Sequence, residues 1–355
     1  MFAQVNCPEI LQPEELDQYL TRGWFRMGQT IFTTNFLNFK SNFYSAIWLR
    51  IPLREFPQDK KQQDLFRKNK AFRVEIRRAS ITPEKEALFS RYKKNLSFEA
   101  SASLHTLLFG RVSRDIYNTH EISIYDNRQL IATGFFDIGS VSAAGITSFY
   151  DPLYKKYSLG KYLIHLKIEY SKKNELQYFY PGYFVPGYPL FDYKLDIGRP
   201  VLQYFEFTSS QWKPIANFSR AFSPLQLMYD KLYALQNVLL RNGIECKILK
   251  YEFFDANLIP ELENIVLFDF PIFLSCHKLS EETPIVFDIR DQQYHWIKCR
   301  SVWASTSASN PEDIYSSHVL KFDHDLFSAE IPDQISTIII DELRSQGKII
   351  SANSM

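Results

Sequence analysis

Residues 148–194 read SFYDPLYKKYSLGKYLIHLKIEYSKKNELQYFYPGYFVPGYPLFDYK. The run Ile146 to Tyr150 predicts a strand, stopped at Asp151-Pro152 because proline cannot continue a central ladder. A loop rich in Tyr and Lys leads to Ser158-Leu159-Gly160. Leu159, Tyr162, Leu163, Leu166 and Tyr170 then fall at i, i+3, i+4, i+7 and i+11, the stripe of an amphipathic helix. Gln177 to Tyr180 predicts the next strand, broken at Pro181-Gly182. The succession matters because a helix start carries unpaired backbone N–H groups and the positive end of a dipole. A glycine there lets an anionic group come close to the backbone.

Outward from this unit, Glu121 to Tyr125 and Gln129 to Asp137 flank Asp126-Asn127, the signature of a hairpin turn. Thr82-Pro83 sets an N-cap before a proline at the first helical position, and Leu88 and Tyr92 continue that helix through Arg91. Pro13 to Arg22 predicts a short helix closed by Gly23. Thr30 to Phe36 and Phe43 to Leu53 are β-rich, whereas Leu65 to Arg78 alternates weakly and is ambiguous. Beyond about Pro214, a long helix at Leu225 to Leu240 ends at Asn242-Gly243. Short strands follow at Glu245 to Lys250, Pro284 to Ile289 and Tyr294 to Cys299, and a last helix runs from about Pro332 to Ser345. Ser301 to Pro311 predicts a loop. No internal repeat is visible.

The 355 residues are 45% hydrophobic and 23% charged, which excludes a disordered chain. This length allows two or three domains. No apolar run approaches the roughly 20 residues a membrane helix needs. The longest candidate, Ile265 to Cys276, is interrupted by Asp269 and Pro271. The opening MFAQVNCPEI lacks a basic segment followed by an apolar one, so a cytoplasmic address is expected.

The net charge of +1 hides an asymmetry: Arg50 to Asn95 holds fourteen Lys or Arg against six Asp or Glu, and Tyr251 to the end seven against seventeen. Lys60, Lys61, Arg67, Lys68 and Lys70, interleaved with Phe66 and Phe72, are candidates for a polyanion surface, a solvated face being the plainer meaning. Cys7, Cys246, Cys276 and Cys299 lie far apart without CxxC spacing, which predicts isolated buried thiols rather than disulfides or zinc. The seven histidines show neither a triad nor metal spacing. No metal and no cofactor is expected.

In their order, these segments resemble the C-terminal catalytic half of the arginyl-tRNA-protein transferases, including the bacterial branch that transfers leucine. The residues that carry the resemblance are Tyr150-Asp151-Pro152, Ser158-Leu159-Gly160, Ile168-Glu169, Tyr180-Pro181-Gly182-Tyr183 and Tyr193-Lys194. Upstream, Leu88 to Tyr92 resembles the family's L-x-x-R-Y helix, and Leu130-Ile131-Ala132 with Asp137 its L-x-A strand ending in Asp. Gly23 to Gly28 resembles its G-F-R-x-x-G element. Coverage runs from about residue 20 to 213. Three departures stand out. The family's cysteine cluster is absent from Ile31 to Tyr44, Ala144-Gly145-Ile146-Thr147 replaces S-S-V-Y, and Pro181 stands where leucine is usual.

The resemblance implies an α+β chain with a GNAT-like acyltransferase core. The expected division is a β-rich N-terminal domain over 1–80, a catalytic domain over 81–213 and a C-terminal α+β extension over 214–355 of unknown role. It also implies transfer of arginine, or leucine, from charged tRNA to the N-terminal amine of proteins beginning with Asp or Glu, as a degradation mark. Aminoacyl-tRNA and those proteins are then the partners, with no membrane involved. The tRNA ester is already activated, so positioning, proton removal and oxyanion stabilisation can suffice.

Within that implication, Tyr157, Ser158, Leu159, Gly160 and Lys161 are expected to receive the tRNA 3′ end, and Glu169, Tyr180 and Tyr183 to serve the amine or the oxyanion. Arg26 and Arg91 are expected to pair with the acceptor carboxylate, and the Lys60 to Lys70 cations to follow the tRNA backbone. Two other readings stay open. One is a coenzyme A-dependent N-acyltransferase, disfavoured because the loop has only Gly160. The other is a non-catalytic binder of aminoacyl-tRNA or protein N-termini, favoured by the hydroxyls lost at Ala144 and Gly145.

Overall fold

In this computed structural model the described residues are all but 1, 40–41, 97–99, 111, 113, 263–264, 278, 305–313 and 349–355. The chain begins β1 (Gln4–Asn6), α1 (Pro13–Thr21), β2 (Phe25–Met27), β3 (Thr30–Thr33), β4 (Phe36–Phe39), β5 (Asn42–Ser45) and β6 (Ile47–Pro52). Next come α2 (Lys60–Asn69), β7 (Arg73–Arg78), α3 (Pro83–Lys93), α4 (Leu104–Phe109), β8 (Thr119–Asp126), β9 (Gln129–Ile138) and β10 (Ser142–Tyr150). A 3-10 turn at Pro152–Tyr157 leads to α5 (Leu159–Lys173), β11 (Tyr178–Phe184), β12 (Gln203–Glu206) and β13 (Gln211–Pro214). The rest is α6 (Pro224–Arg241), β14 (Cys246–Lys250), β15 (Ile272–Cys276), β16 (Ile285–Asp288), β17 (Gln293–Ala304), β18 (His318–Ala329) and α7 (Pro332–Ser345).

Local chemistry places most of these boundaries. Thr82 caps α3, its hydroxyl accepting from the Lys85 N–H, with Pro83 in the first turn. Asn127 adopts φ 54° between β8 and β9, a conformation that Asn tolerates. The ambiguous segment divides in two: Asp59 caps α2, and three residues separate the helix from β7. Gln62 and Asn69 take inward positions on α2, so the helix shows little apolar stripe in the sequence.

The central sheet has the order β13-β12-β6-β11-β10-β9-β8-β7. Strands β7 to β10 pair antiparallel, α5 then crosses over, and β11 returns parallel to β10. An antiparallel meander followed by one β-α-β crossover forms the GNAT-like α+β core. Leu159, Leu163 and Ile168 of α5 pack with Ile122, Phe136 and Phe179 on one face, and Leu88, Phe89 and Leu104 pack with Phe135 and Phe149 on the other. Burying each such side chain stabilises by about 1.5–3 kcal/mol. The boundary expected at residue 80 falls inside this sheet, because β6 and β7 belong to it.

Two expectations about the central unit change. Strand β11 runs through Pro181 to Phe184 instead of stopping at Tyr180. Its register with β6 slips between Phe179 and Gly182, so the missing proline N–H coincides with a bulge. On α5, Leu166 and Tyr170 are only partly buried, whereas Lys167 is 2% exposed.

Beyond residue 214, a five-stranded sheet β14-β15-β16-β17-β18 packs with Leu232, Leu235 and Leu239 of α6 and Ile335, Ile339 and Leu343 of α7. Phe2, Phe36 and Phe43 enter the same core. Strand β17 occupies Ser301 to Ala304, where a loop was expected, and the remainder of that loop through residue 311 lies outside the described residues. Cysteines 246 and 276, far apart in sequence, are direct partners in the β14–β15 ladder with sulfurs 2.7 Å apart, and both are free thiols. Cys7 is exposed rather than buried. Oxygens of Asp288 and Asp291 and a nitrogen of His295 lie within 4.8 Å of one another, although the Arg290 guanidinium already bonds both Asp288 oxygens. Among the described residues no helix is long and apolar enough to cross a membrane.

Candidate active site

The parallel ladder between β10 and β11 is short. It pairs Ser142 with Tyr178, Ala143 with Phe179 and Ala144 with Tyr180, and then the two strands part. On its other edge β10 carries a bulge at Ile146, between the Gly145–Phe136 and Thr147–Phe135 pairs. The separation opens a cavity of about 430 Å³ between β10, β11 and the start of α5. Thr147, Ser148 and Tyr150 line one wall, Phe179 and Pro181 the other, and Ser158, Gly160 and Lys161 the end. Tyr92, Lys155, Ile164, Lys167, Leu190, Tyr193 and Lys194 also border it.

At that end Ser158 holds a left-handed conformation, φ 56°, and its side chain makes no capping bond to α5. The first-turn N–H groups therefore have no side-chain cap. Gly160 is helical, and a Cβ added there would meet the Tyr150 ring at 3.5 Å, an ordinary contact. The glycine thus leaves space on the cavity wall without being demanded by backbone strain.

Two lysines set the electrostatics. Lys167 donates to the carbonyls of Phe135 and Thr147 at 2.8 and 2.9 Å and to Ser148 Oγ at 3.0 Å. It fills the region of the β10 bulge, and desolvation draws its ammonium down to about 7. Lys194 donates to the Tyr183 carbonyl at 2.7 Å and lies 5.2 Å from the ring centres of Tyr183 and Phe191. Desolvation draws it to about 7 as well. Lys155 and Lys161 add charge, and no Asp or Glu lines the cavity.

The residues singled out in the sequence divide between this cavity and its supports. Ser158, Gly160 and Lys161 line it, and Leu159 anchors α5 in the core beneath. Tyr157 lies beside it, packed on Phe72, its carbonyl accepting from Asn69 of α2. Glu169 turns to α2 and accepts from Gln62 Nε2 at 2.9 Å, outside the cavity. Tyr180 is fully buried against Phe25 and Trp212, with burial pushing its hydroxyl up. Tyr183 packs edge-on to Trp48, its hydroxyl pushed up to about 12 by burial. Neither tyrosine lines the cavity, so the three groups expected at the amine or oxyanion are not brought together.

The Arg26 side chain is 5% exposed and donates to Asp137 Oδ1 at 2.8 Å, Thr119 Oγ1 at 2.7 Å and the Gly28 carbonyl at 2.7 Å. The G-F-R element and the aspartate that ends the L-x-A strand are thus one internal latch, and Arg26 is not available to an acceptor. Arg91 lies 3.3 Å from the carboxylate of Asp151, which also holds the turn after β10. Lys60, Lys61, Arg67, Lys68 and Lys70 are all exposed, and α2 packs on α5 through Phe66 and Tyr162. Lys155 and Lys156, exposed on the adjoining 3-10 turn, link this face to the cavity mouth.

The family described as arginine-tRNA-protein transferase, C terminus, matches residues 84–201. An aspartate/glutamate leucyltransferase of Leptospira interrogans serovar copenhageni is 31% identical over 226 residues, covering 61% of this chain and 84% of that protein. The chain belongs to the arginyl-tRNA-protein transferase family. A second family relative, the aspartate/glutamate leucyltransferase of Campylobacter jejuni strain RM1221, is 26% identical over 54% of this chain and 79% of its own. Solved structures are more distant. FemX has a TM-score of 0.35 at 8% identity over 56% of this chain and 69% of its own. The Escherichia coli ribosomal-protein-S18-alanine N-acetyltransferase has 0.22 at 17% identity over 29% and 61%.

Lys167 and Lys194 gained no role from the sequence. Lys167 had a visible signal, a cation at the buried spacing i+8 from Leu159 and i+4 from Leu163. Lys194 had only its place in the Tyr193-Lys194 pair.

Proposed function

We propose that this chain transfers a leucyl group from charged tRNA to the N-terminal amine of proteins beginning with Asp or Glu. The observation that carries the reading is the cavity where β10 and β11 part, closed by the uncapped start of α5 and continuous with a basic face on α2 and the 3-10 turn. The tRNA backbone follows Lys60, Lys61, Arg67, Lys68 and Lys70 to Lys155 and Lys161, and the 3′ end meets the α5 N–H groups. The acceptor amine attacks the ester carbonyl carbon, the carbon–oxygen bond to the ribose breaks, and the ribose hydroxyl leaves with a proton. An α-amine with a pKa of roughly 7.7–8.0 is already partly unprotonated near neutrality.

Leucine is favoured over arginine by charge. Four lysines and no carboxylate line the cavity, so an arginyl side chain would meet like charge without a partner. The names of the relatives point the same way. The test is incubation with radiolabelled leucyl- and arginyl-tRNA and peptides beginning Asp, Glu or Ala. Label entering the Asp and Glu peptides from leucyl-tRNA supports the reading. Label from arginyl-tRNA alone reverses the donor assignment, and no transfer from either donor rejects the function.

A further inference from the structure

We propose that Lys194 is the residue that reads the acidic side chain of the acceptor, its ammonium pairing with the Asp or Glu carboxylate inside the cavity between β10 and β11. This rests on the transfer reading above and goes further by assigning acceptor selection to one side chain. The two arginines of the right chemistry are already committed, Arg26 to Asp137 and Arg91 to Asp151. Among the cavity's lysines, Lys161 pairs with Asp196 at 3.6 Å in open solvent, and Lys167 spends its ammonium on three protein oxygens. Lys155 is exposed on the turn, where water screens it.

Lys194 differs from all of these. It is half-buried on the cavity wall and donates to one acceptor, the Tyr183 carbonyl. An ammonium has three N–H donors, so the group can accept further partners. It lies beside the Tyr183 and Phe191 rings, 5.2 Å from each centre, and Gly182 allows the approach: at φ 88°, a Cβ there would come within 3.2 Å of Nζ. Taking a cation from water toward aromatic walls without a counter-charge is unfavourable, and an anionic ligand removes that cost. A carboxylate gains a charge-assisted bond there that its carboxamide twin lacks.

The experiment measures, without tRNA, the binding of tetrapeptide amides beginning Asp, Glu, Asn or Gln to the full chain and its variants. Wild type is expected to prefer each acid over its amide at least tenfold. Lys194→Met should bring both ratios within twofold of unity, and Lys194→Arg should keep the preference. Thermal melts confirm that the variants are folded. A preference that survives Lys194→Met overturns the proposal, as does equal loss of acids and amides in both folded variants, or no preference in wild type. The same anion site could take a phosphate, so an uncharged CCA trinucleotide is titrated in parallel. If Lys194→Met weakens the trinucleotide while leaving the acid-to-amide ratio intact, Lys194 serves the tRNA and the proposal fails. Because peptide binding is read without transfer, failure of the transfer reading leaves this result standing or falling by itself.

Discussion

At the scale of single residues, the motifs divide into those that hold the fold and those that face substrate, and hydrogen-bond partners tell them apart. Arg26 and Asp137 look like reactive groups in the sequence and are an internal pair. Removing one partner of a buried ion pair costs about 3–5 kcal/mol, so Arg26→Ala should lower stability by that order, read as a shift of the urea midpoint. A small shift with selective loss of acidic acceptors would return Arg26 to the acceptor site. Lys194 makes a pH prediction. Its ammonium is charged below about 7 and increasingly neutral above it. The ratio of kcat/KM for an Asp peptide to that for its Asn twin reports the free enzyme, and it should therefore fall as pH rises through 7 to 9. A flat ratio would remove Lys194 from selection. The motif pattern made the latch residues visible, but their role depends on a contact 111 positions away in sequence, which no local pattern contains.

Among elements, the β-α-β unit was the most legible, because an apolar stripe and a proline stop report local geometry. What the sequence hid is that β10 and β11 separate after three pairs, since that opening comes from a bulge and a register slip rather than from composition. Helix α2 was ambiguous for a related reason, its inward positions including Gln62 and Asn69. The start of α5 yields a direct test. Gly160→Val should change stability by less than about 0.5 kcal/mol, since helix propensities of the two residues are close and the neighbouring ring stands at van der Waals distance. Donor use should fall by about tenfold or more, a barrier increase of roughly 1.4 kcal/mol, measured as single-turnover transfer beside a urea melt. Equal loss of both would make Gly160 a structural cap. For α2, reversing Lys60, Lys61, Arg67, Lys68 and Lys70 should weaken tRNA binding broadly, each lost phosphate contact removing about 0.7–0.9 from the slope of log affinity against log salt. An unchanged slope would make the helix a solvated face.

For the whole molecule, the question is whether the region beyond residue 214 is an attachment or part of the structure that carries the site. Its helices were readable from periodicity, but β18 was not. Along HVLKFDHDLFSA every residue from Asp323 to Leu326 is exposed and only Leu320 and Ala329 are buried, so it shows little apolar pattern. The contribution of the N-terminal segment was invisible for a different reason, since it depends on long-range packing. Phe2 is fully buried, edge-on to Phe36 and Phe270, and its backbone N–H donates to Asp269. Phe36 and Phe43 both meet Phe254 edge-on. The strands that follow these residues lead through β6 into the central sheet, beside β11 and hence beside the cavity. A chain ending at residue 213 would leave Phe2, Phe36 and Phe43 without their core, and that apolar surface should make it aggregate or melt without cooperativity. In the full chain, Phe2→Ala should cost about 3–5 kcal/mol, read from the urea midpoint, with Asp/Asn discrimination unchanged because the cavity is lined by other residues. A residue 1–213 chain that melts cooperatively and transfers at the full-chain rate would show instead that the C-terminal sheet is an appendage. The buried aromatic contacts that Phe2 and the β4–β5 pair make with Phe270 and Phe254 argue for the opposite outcome.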